Sequence, residues 1–172
     1  MARATHRAAT AIAAALRLWP TPGLMMVWDD AHDGGNRVQA LDRGAAFFID
    51  YGFPEAEFYH PQRHMGTLMC HRAHKADTDP LADVGLKDIT AHVNFTGIAL
   101  AAQDAGWPTL GYTTQARFLL NCGLVRLLET ASVAQRAHAL KLVNEHEMGE
   151  LFKVLLLSRS DDWEPLGFAT GD

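Results

Sequence analysis

Five of the nine histidines, His60, His64, His71, His74 and His92, fall between residues 60 and 92 in the company of Asp77, Asp79, Asp83 and Asp88. An imidazole takes up or releases a proton near neutrality, and carboxylates hold a cationic substrate beside it. One chemistry these types allow is a mixed nitrogen and oxygen metal site, with His71-x-x-His74 converging and Asp79 adding a carboxylate, as a metal-dependent hydrolase would use. No His-Glu-x-x-His run supports it, and His60 and His64 converge only on a fixed helix. A blander alternative is histidines satisfied by backbone groups within an ordered loop, which explains one or two better than five. The third reading is substrate handling: an imidazole accepts a proton from an amine or guanidinium whose charge the carboxylates hold. The acidic company favours this third reading, with no metal, and the hydrolase stands as its alternative.

Asp50 ends an apolar run, where open α/β sheets place their ligands at strand carboxyl ends, and Tyr51-Gly52 either make the turn or meet that ligand. Asp88, Thr90 and His92 fall on one side if the chain is extended there. Met148 and Phe152 read as core, and Lys153, in an apolar strand, must snorkel or pair with a carboxylate.

The elements that position these groups follow from patterning. Residues 1–17 read as an Ala-rich helix stopped by Pro20 and Pro22, an alternative to an organelle-targeting peptide with its three arginines and no acid. Residues 19–36 show neither helical nor strand periodicity, and 37–43 close a short helix before Gly44. The unbroken apolar run Ala45–Tyr51 predicts a strand buried on both faces, of the kind found in parallel sheets covered by helices. From Phe53 to Thr90 a long ordered loop is expected, with a brief strand over 66–70. Asn94 caps a helix through Ala105, a strand follows over 107–112, and Thr113 or Thr114 caps a helix through Leu120. Helical spacing continues from Leu124 to Val143, and residues 151–157 are a last buried strand. This order is α/β, with no Gly-x-Gly-x-x-Gly turn after any strand.

The composition, 172 residues with 48% apolar and 20% charged, suits a globular domain. A net charge of -5 gives no footprint for a nucleic-acid backbone. The two cysteines, Cys70 and Cys122, are too far apart for a knuckle and fit a reducing compartment, and no apolar run is long enough to span a membrane.

Several segments together resemble the MidA-type S-adenosylmethionine-dependent methyltransferases. These are Gly44–Gly52, Gly66-Thr67-Leu68, His71, Asp79-Pro80-Leu81, Asp88–Val93, Thr114-Gln115-x-x-Phe118-Leu119 and Met148-Gly149-x-x-Phe152-Lys153-Val154, in matching order and spacing over about residues 38–172. The resemblance implies a class I methyltransferase fold of the Rossmann-like kind, with Gly44–Tyr51 as its fifth strand, Trp107–Tyr112 its sixth and Leu151–Leu157 its seventh. It implies S-adenosylmethionine as cofactor and, from the mitochondrial member that serves respiratory complex I assembly, arginine of a protein as substrate. Location would then be cytoplasmic in a bacterium and mitochondrial in a eukaryote.

On this reading residues 1–36 form an arm unlike the family and 37–172 its C-terminal part. The family's cofactor-gripping segments precede that part, so weak cofactor binding and no activity are expected of the chain alone. A non-catalytic interaction remnant is the other alternative. Asn94 stands where the family pattern has aspartate, and either serves as an N-cap. For arginine methylation His92 and Asp88 are the catalytic candidates and Asp50, Tyr51, His71 and Asp79 the substrate-binding ones, and the residues that hold the cofactor are left open. A sheet missing its first four strands would expose the flank of Gly44–Tyr51 and favour self-association.

Overall fold

A computed structural model describes residues 24–29, by their backbone, together with 44–104, 106–158 and 164–169. The helices expected over 1–17 and 37–43 lie outside the described residues. The apolar run becomes β2 (Gly44–Phe53), the longest strand described. Along one edge it carries β8 (Phe152–Ser158), which in turn carries β7 (Thr109–Thr114), so the strands that the resemblance numbers five, seven and six lie side by side. All these pairings are antiparallel, including that of β2 with β1 (Leu24–Asp29). The expected parallel sheet is therefore corrected: an unbroken apolar run reports burial on two faces and carries no information on strand direction.

Both faces are covered. On one, α2 (Phe95–Asp104) presents Phe95, Ile98 and Ala102 to Ala46, Phe48, Leu155 and Leu157, with Trp107 filling the same core. Its start is fixed as expected, Asn94 Oδ1 accepting the Gly97 N–H at 3.1 Å. On the other face Phe47 meets Phe118 edge-on at 6.1 Å, and Phe118 meets Phe168 at 5.3 Å. Phe118 belongs to α3 (Gln115–Asn121), capped by the Thr114 hydroxyl, which accepts the Arg117 N–H.

Three further expectations are corrected. Residues 24–29, read as irregular, form β1 against Gly44–Ile49. The helical run from Leu124 breaks into α4 (Leu124–Glu129) and α5 (Val133–Val143), because Ser132 and Gln135 form a reciprocal capping box that starts a new helix. The long loop is built: α1 (Glu55–Phe58), a tight turn over Pro61–Arg63, and a small sheet in the order β4 (Lys75–Asp77), β3 (Met69–Arg72), β5 (Asp88–Thr90). Lys87 Nζ, 2.8 Å from Asp77 Oδ2, closes the excursion between β4 and β5. Among the described residues no helix is long and apolar enough to cross a membrane.

Candidate functional site

The carboxyl end of β2 opens into a cleft of about 670 Å³ between the two sheets. One wall is aromatic: Tyr51 and Phe53 from β2, and Phe152 from the start of β8, which the antiparallel pairing brings opposite Tyr51. The facing wall comes from the small sheet, with Met69 and His71 on β3 and Thr90 on β5, and the segment Arg63–Leu68 closes one side. Thr90 Oγ1 donates to the Met69 carbonyl at 3.3 Å, which fixes that wall.

His92 stands where the two walls meet. It precedes β6 (Val93–Asn94), whose parallel pairing with Gly52 and Phe53 sets it beside the end of β2. That approach needs Gly52, since a Cβ there would run into the Val93 backbone. The imidazole stacks on Phe53 at 4.8 Å and 17°, and Tyr51 meets it edge-on at 5.3 Å. Its backbone N–H donates to Thr67 Oγ1 at 3.2 Å, and its buried Nδ1 meets no hydrogen-bond partner among the described residues. Burial pushes its pKa down from 6.5; a hydrogen bond of the ring with the Thr67 backbone opposes that, the Arg63 charge adds to it and the Asp50 carboxylate opposes it. His92 is thus an imidazole kept neutral at pH 7, a state in which it can accept a proton.

The other sequence candidates are distributed around this centre. Tyr51 and His71 line the cleft with His92. Asp88 is the cross-strand partner of His71, exposed like it on the small sheet. Asp50 is buried, with its Oδ1 accepting the Tyr51 N–H at 2.8 Å. Asp79 lies outside the lining: its Oδ1 accepts the N–H groups of Leu81 at 2.9 Å and Ala82 at 3.3 Å, and so shapes the turn after β4. His71 lies on β3 and His74 within the β3–β4 turn, and among the described residues no three His, Cys, Asp or Glu side chains gather as a metal site would require.

Sequence reasoning missed Phe53, Arg63, Thr67 and the cleft role of Phe152. Phe53 follows Gly52, the residue that flanks the predicted strand. Arg63 sits in a stretch with no periodicity and Thr67 in a short expected strand and a family-like motif that assign it no role, and only the fold brings them to His92.

Among the described residues the lining contains no carboxylate. A ribose diol, an α-ammonium group and a guanidinium all ask for an acidic partner, so the described lining by itself favours none of them over the others.

With that geometry in hand, residues 35–113, from ahead of β2 into β7, match the model of a family described as "Putative S-adenosyl-L-methionine-dependent methyltransferase". Two crystal structures of proteins from Burkholderia thailandensis are similar at 52% identity and a TM-score of 0.70, each over 77% of this chain. One is a native structure of an uncharacterized protein, and the other is a member of the same superfamily bound to S-adenosyl-homocysteine. This chain spans 37% of the first and 36% of the second, little more than a third of their length. No curated protein matches it.

Proposed function

We propose that this chain is the acceptor-binding part of a S-adenosylmethionine-dependent methyltransferase of the MidA type, and that the acceptor is an arginine side chain of a protein. The family match over residues 35–113 and the relative bound to S-adenosyl-homocysteine support S-adenosylmethionine as the cofactor, and the MidA resemblance supports arginine. The observation that carries the reading is His92, a half-buried neutral base set in an aromatic wall at the carboxyl end of β2.

The bound cofactor supplies an electrophilic methyl group. The chain's residues have three tasks. Tyr51 and Phe152 offer aromatic surfaces on which a guanidinium can rest, in the manner of Arg63 on Phe53 at 3.8 Å. Asp88, beside His71 at the rim, attracts the cationic side chain. His92 takes the proton that the guanidinium nitrogen loses, with Asp50 steadying the resulting imidazolium. A cytoplasmic or mitochondrial protein, such as a respiratory complex I subunit, is the corresponding partner class.

Nuclear magnetic resonance of the whole chain, titrated with arginine-bearing and lysine-bearing peptides, tests this. The arginine peptide is expected to shift the His92 and Tyr51 resonances, and S-adenosylmethionine, titrated calorimetrically, to bind weakly. Tight stoichiometric cofactor binding that displaces the peptide from these residues would overturn the assignment of the cleft to the acceptor.

A further inference from the structure

We propose that Arg63 is a positioning residue for His92, acting through Phe53, so that the guanidinium, the phenyl ring and the imidazole form one clamped stack in the cleft wall. This rests on the reading of His92 as the proton acceptor.

The stack is built from one end. Arg63 Nη1 donates to the Glu57 carbonyl of α1 at 2.6 Å, and its Nη2 lies 3.5 Å from Glu57 Oε1. The planar group is held from two directions, with its side chain 31% exposed. Its Cζ sits 3.8 Å over the Phe53 ring, and the other end of the stack is His92 at 4.8 Å and nearly parallel to that ring. A guanidinium is suited to this because it is flat, permanently charged and weakly hydrated, so it can bond in its own plane while covering an aromatic face. Without it Phe53 is free to turn, and the imidazole that leans on it loses its orientation.

Charge acts along the same line. The groups facing His92 are Arg63 from the turn after α1, Asp50, Tyr51 and Phe53 from β2, Thr67 from the following segment and His71 from β3 across the cleft. Of these Arg63 is the permanent cation, and it opposes protonation of the imidazole, whereas Asp50 favours it.

Three variants of the whole chain separate orientation from charge: Arg63→Met, which keeps the stem and removes plane and charge, Arg63→Lys, which keeps the charge alone, and Phe53→Leu, which removes the middle of the stack. The His92 ring proton shifts are followed against pH. In Arg63→Met the titration is expected to move to higher pH and the ring-current shift of the imidazole to collapse. Arg63→Lys should lose the ring-current shift while its titration stays near that of the wild type, and Phe53→Leu should lose it as well. Arginine-peptide affinity should fall by about tenfold in Arg63→Met, the effect of one well-made contact. Unmoved His92 shifts and titration in a folded Arg63→Met chain, or unmoved His92 shifts in a folded Arg63→Lys chain, would overturn the proposal. The His92 titration decides the role of Arg63 whether or not the peptide binds, so it can fail or hold independently of the acceptor assignment.

Discussion

His92 links the chemistry of the cleft to the stability of the fold, because its pKa is lowered from 6.5 chiefly by burial. The unfolded chain then binds more protons than the folded one below about pH 6.5, so stability falls as the pH drops through that value. His92→Gln, which keeps the approximate size and one amide in place of the ring, should flatten that decline, as denaturant melts between pH 7 and 5 would show. The same protonation opposes a cationic acceptor, so arginine-peptide affinity should hold just below pH 6.5 and weaken once His92 charges. Gly52 is the second critical residue. Gly52→Ala drives a Cβ into the Val93 backbone, and a cost of about 1–3 kcal/mol is expected from the forced displacement of β6, read from a urea midpoint. Gly52 and His92 were visible in the sequence as a strand-ending glycine and a histidine near the helix start. That the first sets the position of the second was not, since a parallel pair between β2 and β6 leaves no local trace.

Elements whose signals are local were the legible ones. The strand ending near Tyr51, the caps at Asn94 and Thr114 and the last strand all follow from runs or side chains a few residues apart. Asn94→Ala should cost about 1 kcal/mol and Asn94→Asp only a few tenths, measurable as shifts in thermal midpoint. Apart from the brief strand expected over 66–70, which overlaps β3, the small sheet escaped detection for an equally physical reason. Its β3–β4 hairpin turns through Ala73 at φ 48° and His74 at φ 63°, two left-handed residues where glycine or asparagine would announce the turn. The strain is testable: His74→Gly should stabilise the chain by about 0.5–1 kcal/mol in the same melts, since glycine adopts that conformation without the Cβ penalty. Lys153 needed no fold to be understood, and its ion pair with Glu150 at 3.9 Å is what a lone cation in an apolar strand requires.

At the scale of the whole molecule, the expectation of self-association rested on an unpaired flank of β2, and β1 changes the terms of that argument. Leu24–Asp29 pairs antiparallel with Gly44–Ile49, so the backbone groups along that length of β2 are satisfied within the chain. The sequence concealed this because Pro, Gly and Asp surround a six-residue run with no alternation, and strand formation there is decided by an edge that must be met rather than by local preference. Among the described residues the pairing does not abolish the edge; it moves it outward to β1, a strand short enough to blunt growth by strand addition. A chain lacking residues 1–29 should therefore associate, because the edge then exposed belongs to β2, which is longer and runs through apolar core positions on both faces. Light scattering of the full and shortened chains at several concentrations reads the difference. The shortened chain should grow in mass with concentration and melt at a lower temperature, while the full chain changes less. Equal masses and equal melts would mean that β1 gives β2 no protection, and that the covering of its two faces, by α2 on one side and by Phe118 with Phe168 on the other, is enough to hold the sheet.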